Sequence, residues 1–409
     1  MKTKKNNPGK TVIKTVMLLL IILVIKTSEL NAQDTVSIVP VMDNTLYEDA
    51  AGLISNSRGK YMFSGKSTSG LKRRAVINFQ TIEFIPPCSK ILSVKVKLHS
   101  SGPVTANKTI QLKKLNKFCG EGTSDAPGTE ENGTASTLYD GTWKHTYYNT
   151  DLWTAPGGDY SGTVSASTTV GGTGYYYWSS PQLISDVESW SDLSQNFGWI
   201  ILGDESTSNS YKRFHTKESD TAEYYPELIV VYEQRISLYL ISKVEGFWDG
   251  TNTVDDTLKV YLRNSFAPYA LKDSAKEVSG NFGATYCFTN APTGNYYIVA
   301  SHRNSIETWS SLLVLLTRGD GDYYDFTDLV TRAYGSNTIL KYGAYCFYSG
   351  DVNQDGIIDA SDVSSVENDA SIGLSSYVKT DVTGDDFVDA GDVSVVENNS
   401  SISVAVITP

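Results

Sequence analysis

The stretch GDVNQDGIIDASDVSSVEN, residues 350–368, places Asp351, Asn353, Asp355, Asp359 and Asp362 within twelve positions. Carboxylates that close repel one another, and a fold keeps them together when a cation sits among them. The spacing is that of a calcium loop. Oxygen ligands stand at positions 1, 3, 5, 9 and 12, with position 9 acting directly or through water. The main-chain carbonyl of Ile357 stands at position 7, and Gly356 at position 6 allows the sharp turn. The pattern returns 30 residues later: eleven of the nineteen residues in 351–369 recur identically in 381–399, which marks an internal repeat. The second loop offers Asp381, Thr383, Asp385, Asp389 and Asp392, with the carbonyl of Phe387. It departs from the first in two places. Thr383 is a poorer ligand than Asn, and Asp386 stands where glycine is wanted. Two bound Ca²⁺ ions are expected, the first held more tightly. Val363, Val366 and Ala370 then form a short apolar stripe at helical spacing.

Other groups able to do chemistry are less ordered in sequence. His99, His145, His215 and His302 form no metal-spaced pair, and neither a GxSxG elbow nor a phosphate loop occurs. Glu121, Asp125, Glu130 and Glu131 crowd the segment CGEGTSDAPGTEENG. Paired carboxylates there could serve a glycoside hydrolase, but a solvated acidic loop or a cation site is the preferred reading. A polysaccharide lyase wants a basic cluster. Lys212, Arg213 and His215 lie close on one strand, yet alternation sends neighbours to opposite faces. Aromatic residues are the better lead. Tyr139, Trp143, Tyr147, Tyr148, Trp153, Tyr160, Tyr175, Tyr176, Tyr177 and Trp178 sit among Gly, Thr and Ser. Rings with a polar tip suit a sugar face, and a long loop over 120–174 is where binding would sit. The competing reading is that these rings pack the core and the loop.

The elements that must position these groups are mostly strands. With 409 residues, 26 Tyr and only 4 Met, the composition points to several turn-rich β modules, not a helical bundle. Alternating runs such as RRAVINF, SVKVKLH, TIQLKKL, GWIILGD and PELIVVYE fill residues 34–233, and ISLYLIS, TLKVYLRN, ATYCFTN and NYYIVASH fill 236–346. One helix is expected around SPQLISDVESWSD, with Leu183, Val187 and Trp190 on one face. Cys88 precedes and Cys119 follows two such runs separated by the turn SGPVTAN. A hairpin there would bridge Cys88 to Cys119 and leave Cys287 and Cys346 as a second pair; four buried free thiols are the alternative.

Residues 1–32 read as a secretory signal peptide, with a basic start, the apolar run TVMLLLIILVI and Ala32 for cleavage; an N-terminal anchor helix is the competing reading. After that leader no membrane span is expected. The leader holds six Lys and one Glu of the 34 basic and 46 acidic residues, so the remainder carries 28 and 45, a net of −17. Such a surface disfavours nucleic acid and leaves neutral glycans and cations as partners.

Three resemblances follow from these residues. The loops over 350–402, with Asp362 and Asp392 at position 12, resemble a type I dockerin module. That resemblance implies a small all-α module that docks onto a cohesin domain and tethers polysaccharide-degrading proteins to a scaffold. At loop positions 10 and 11, which help choose the cohesin in that family, this chain has Ala360–Ser361 and Ala390–Gly391 in place of the frequent Ser–Thr pair. A calcium-stabilised cap or attachment module is the alternative. RRAVINF, FIPP, ILSVKVKLH, DVESW…NFGWIIL, KRFHTKES and PELIVVY, opened by MDNTLYED, resemble in order the DNRLRE-domain proteins over 43–232. Gln80 replaces the Asp that usually follows the Phe. This resemblance implies a secreted β-sandwich associated with polysaccharides and similar to carbohydrate-binding modules. Residues 236–346 resemble the immunoglobulin- or prealbumin-like sandwiches that precede dockerin-like repeats.

The sequence reading is therefore a mainly β chain: two β-sandwich modules, 34–233 and 236–346, followed by a small all-α calcium-binding module, 350–402. Its expected function is non-catalytic attachment to a polysaccharide or cell-surface glycan in polysaccharide catabolism, outside the cell, with a cohesin-like protein partner. A lyase or hydrolase in 34–233, or a purely structural adhesion protein, are the alternatives.

Overall fold

The computed structural model describes residues 33–81, 83–191 and 195–409; the leader expected over 1–32 lies outside them. Among the described residues the chain is mainly β, in several sheets with three α-helices. No helix among the described residues is long and apolar enough to cross a membrane.

In the N-terminal part, one continuous path of strands folds over itself into two facing layers. The first centres on Lys90–Ser100, which pairs antiparallel with Glu227–Glu233 (Val94 opposite Val230) and with Gly174–Trp178 (Leu98 opposite Tyr176). Gln33–Ile38 pairs with the outer side of Glu227–Glu233. The second layer runs from Met42–Tyr47 through Lys72–Asn78, Trp199–Leu202 and Lys108–Lys114 to Ala166–Val170. Strand Tyr61–Lys66 joins the two, its first half on Lys212–His215 and its second on Lys72–Asn78. It bends at Gly65, whose φ is +124° and where a Cβ would lie 2.8 Å from the Tyr211 Cα, so only glycine fits without displacement.

Alternation fills the space between the layers. Val94, Val96 and Leu98 face Ile77, Ile110, Leu112 and Trp199 in one buried cluster. Helix α1, Pro181–Ser191, closes it with Leu183, Val187 and Trp190, all buried, on the face the sequence indicates.

The expected hairpin is not formed. Strands Lys90–Ser100 and Lys108–Lys114 lie in opposite layers and bury their apolar faces against each other across the core. The chain between them arches over, and buried Lys212 fastens the arch: its ammonium donates to the carbonyls of Val104, Ala106 and Gly171 at 2.6–2.7 Å. Cys88 and Cys119 therefore do not meet. Cys88 is bonded instead to Cys287, with Cα atoms 5.4 Å apart, while Cys119 and Cys346 are free and buried. The Cys88–Cys119 and Cys287–Cys346 pairings are both corrected. Their error is a single one, because alternation fixes which face a strand buries and not which strand it pairs with.

Over 236–347 two further sheets share a core. Ile236–Ile241 lies between Ala284–Phe288 and, in parallel, Gly321–Asp325. Asp256–Arg263 lies between Leu271–Ser279 and Gly294–His302. Leu238, Leu240, Tyr286 and Phe288 meet Leu258, Val260, Leu262 and Ile298 between them. The end of the chain carries helices α2, Ala360–Ser371, and α3, Ala390–Ser401, over a small cluster of Val352, Ile358, Val366, Val382, Val388 and Val396. Ile306, from the preceding part, completes that cluster.

Candidate functional site

The two acidic loops have the same internal wiring. Asp362 is fully buried and accepts from the main-chain N–H groups of Val352 (3.0 Å), Asn353 (3.1 Å) and Asp359 (3.1 Å). Asp392 repeats this with Val382 (2.8 Å), Thr383 (2.9 Å) and Asp389 (2.9 Å). Asp351 gathers the N–H groups of Asp355 and Gly356, and Asp381 those of Gly384, Asp385 and Asp386. Asp355 and Asp385 accept from Ile357 and Phe387 two residues on. Asp359 and Asp389 are the N-caps of α2 and α3, each in a capping box closed by Asp362 or Asp392. Asn353 contributes its carbonyl oxygen to the turn, accepting from the Asp355 N–H at 2.8 Å, and the Thr383 hydroxyl turns to Asp392 at 3.0 Å.

The loops thus hold several carboxylates whose oxygens are tied to main-chain N–H groups. Burial, followed by the charge of Asp362, pushes the Asp351 carboxyl up to about 6. Asp381 is also raised, burial being the largest cause. This donor set of hard, mutually repelling oxygens suits a hard cation.

The second loop differs as its sequence indicates. Asp386 adopts φ +68°, in the left-handed region where its counterpart Gly356 is at home. Asp386→Gly should therefore stabilise the second loop by about 1 kcal/mol, checked by thermal unfolding with saturating Ca²⁺; a neutral or destabilising result would show that the aspartate is not strained there. A feature invisible in the sequence acts in the same direction. Arg303 reaches over from the preceding part, its Nη2 3.7 Å from Asp381 Oδ2, so a cationic side chain already faces position 1 of this loop.

Arg303 belongs to a polar joint. Its Nε donates to Asp256 at 2.8 Å, and its Nη1 to the Val378 carbonyl. Asp256 also accepts from Tyr377 Oη at 2.6 Å and lies 3.1 Å from His302 Nε2. Burial pushes the Asp256 carboxyl up, but the hydrogen bonds from His302, Tyr377 and Arg303 outweigh it and hold the group well below the usual carboxylate range. Asn304 donates to the Asp381 carbonyl at 2.7 Å, and Asn399 donates to Glu245 at 2.6 Å and to the Ser349 carbonyl at 2.8 Å.

In the N-terminal layers the aromatic residues divide. Trp143, Trp153 and Trp178 are buried. Tyr139 and Tyr177 are at least half exposed, at 54% and 50%, and the rest lie between these limits. Tyr175 and Tyr177 stand opposite His99 and Lys97 on the outer face of the first layer. The Lys97 ammonium is 4.8 Å over the Tyr175 ring, and the Arg213 guanidinium 4.1 Å over Tyr61.

Lys212 turns into the core as described, whereas Arg213 and His215 take other surroundings, so the three basic groups do not form one cluster. The sequence did not show that His215 meets His99, their ring centroids 5.0 Å apart, with Tyr224 stacked on His99 at 4.0 Å. Burial, then His99 and Arg213, push the His215 imidazole down to about 4. The folded state thus resists a proton that the unfolded chain accepts near pH 6.5. This part of the stability is complete above pH 6.5 and is lost as pH falls towards 4. His215→Asn should flatten the melting temperature over that interval; an unchanged pH profile would exclude His215 as its source.

The acidic segment 121–131 also disperses. Glu130 is buried and accepts from Asn56 and from the main chain of Lys60 and Tyr61. Glu131 accepts from Tyr211 Oη. Glu121 lies elsewhere, near Asp43 and Glu218.

No family model matches the chain, and no curated protein matches it. Two solved structures that match it weakly are interface mutants of a type II cohesin–X–dockerin complex from Acetivibrio cellulolyticus. One is a C-terminal interface mutant, 16% identical with TM-score 0.26, matched over 41% of this chain and 99% of that one. The other is an N-terminal interface mutant, 16% identical with TM-score 0.25, matched over 41% of this chain and 98% of that one. At those scores the likeness carries no argument about this chain.

Proposed function

We propose that the protein is a secreted, non-catalytic attachment protein of polysaccharide catabolism, built like DNRLRE-domain proteins that end in a dockerin-like repeat. Its N-terminal layers would hold a polysaccharide or cell-surface glycan. Its 350–402 segment would bind two Ca²⁺ ions and dock onto a partner of the cohesin kind. Asp351, Asn353, Asp355, Asp359, Asp362 and the Ile357 carbonyl would serve the first ion. Asp381, Thr383, Asp385, Asp389, Asp392 and the Phe387 carbonyl would serve the second. The observation that carries the proposal is the doubled loop, with the same buried Asp at position 12 gathering the same three N–H groups twice. For the glycan, the support is the outer face with Tyr175, half-exposed Tyr177 and Lys97.

Affinity electrophoresis of the full chain against a panel of polysaccharides tests the glycan half. At least one polysaccharide should retard the protein, and Tyr177→Ala should weaken that retention several-fold, the loss of one stacking ring being about 1 kcal/mol. Retardation by none would leave an adhesion protein without a glycan ligand. Release of unsaturated or reducing sugar from the same panel would mark a lyase or hydrolase instead.

A further inference from the structure

Two motifs singled out in the sequence, MDNTLYED and KRFHTKES, hold no ligand in that proposal, and the structure brings them together. We infer that Asp43, Glu121 and Glu218 form a separate site for one hard divalent cation, Ca²⁺ by its oxygen donors, in the N-terminal layers. The site involves none of the residues of the 350–402 loops and stands or falls independently of them.

The geometry allows one ion to reach all three side chains. Asp43 lies on strand Met42–Tyr47, Glu121 two residues beyond buried Cys119, and Glu218 in the turn after strand Lys212–His215. One carboxylate oxygen from each lies within 4.8 Å of the others. Calcium binds oxygen at about 2.3–2.6 Å, so ligands on opposite sides of a single ion are about 5 Å apart.

The hydrogen bonding leaves acceptors that a cation would satisfy. Asp43 is 1% exposed; its Oδ2 accepts the Lys217 N–H at 2.9 Å, but its Oδ1 is buried without a partner. Glu218 Oε2 is likewise buried without a partner. A buried anionic oxygen left unpaired is costly, and native folds rarely keep two in one place.

The charge is incomplete as well. The Lys217 ammonium is 2.7 Å from Glu121 Oε1 and is also bonded to Glu218 Oε1. Three carboxylates and one ammonium leave a local charge of about −2, that of one divalent cation. Arg58, 3.8 Å from Glu218, has a side chain 52% exposed and is screened by water. An ion here would fasten the start of the long loop carrying Trp143 and Tyr139 to strands of both layers.

Calcium bound per full-length chain, counted by equilibrium dialysis, tests the inference. In a variant with both terminal loops disabled, Asp351→Asn with Asp381→Asn, about one Ca²⁺ per chain should remain, and adding Asp43→Asn should remove it. Glu218→Gln, at a partly exposed position, should do the same if Asp43→Asn does not fold. Lys217→Met, which removes the competing ammonium, should tighten the remaining site. The inference is overturned if the loop-disabled chain binds no Ca²⁺, or if folded Asp43→Asn or Glu218→Gln chains keep their count. Should the terminal loops bind nothing, wild type and loop-disabled chains would count alike while Asp43→Asn still subtracts one, so the two failures are told apart.

Discussion

Chelation of calcium should melt residues 350–402 and leave the β layers folded, appearing in calorimetry of the full chain as a separate low-temperature transition. Without an ion, the charges of the buried Asp351 and Asp362 act on each other, and only a small cluster around Val352, Ile358, Val366 and Val396 packs beneath them. A ligand that binds only the folded state at a hundredfold excess over its dissociation constant stabilises it by about 2.7 kcal/mol, and two such sites would account for most of the stability of so small a segment. Asp351→Ala should be more damaging than Asp381→Ala, because the second loop is already strained at Asp386 and already faces the guanidinium of Arg303. The pH dependence separates ion binding from simple acidity. The folded-state carboxyl of Asp351 lies near 6, above its ordinary 3.8. Chelated protein should therefore lose stability as pH rises from about 4 to 6, while the stabilisation given by Ca²⁺ should grow over the same interval as the carboxylate becomes free to bind it. A melting profile indifferent to chelator at pH 7 would reduce these aspartates to a solvated acidic face.

Opening the Cys88–Cys287 bond should be the most destabilising single change outside the loops. The bond closes 199 residues of chain, and the loss of its chain-entropy contribution is about 5 kcal/mol. Cys287→Ser should lower the melting temperature of the β layers strongly and should do so without reductant. Wild type should match it only after reduction. Native protein should resist alkylation at Cys119 and Cys346, both buried; burial, with Glu121 and Asp140 beside the first and Glu245 beside the second, pushes their thiols up. A Cys287→Ser chain that melts with wild type would mean that the bond clamps nothing.

What the sequence disclosed follows from how locally each feature is written. The acidic loops are complete within twelve residues, and their duplication makes the spacing unmistakable. The faces of strands and of α1 are also local, since side-chain periodicity alone decides which residues turn inwards; Leu183, Val187 and Trp190 are buried as that periodicity requires. Strand partners are not local. The turn at 101–107 reads as a hairpin, and only the carbonyl cage around Lys212, assembled from residues on two other segments, shows why it is an arch. The two misassigned cysteine pairs inherit that error. The meeting of Asp43 with Glu121 and Glu218, and of His99 with His215, likewise depends on strand order, so no reading of neighbouring residues could assemble them.

The joint around Asp256 and Arg303 has a mechanical consequence. Only two residues separate strand Glu227–Glu233 from Ile236–Ile241, a disulfide ties Cys88 to Cys287, and Asn304, Arg303 and Tyr377 fasten the next junction. A chain fastened in this way behaves as a stiff spacer, not as a slack tether. Anything gripped at one end is presented at a set bearing to whatever is gripped at the other. Several copies held together would then gain or lose avidity according to whether their targets match that spacing, since a stiff connection sharpens the dependence of effective concentration on distance.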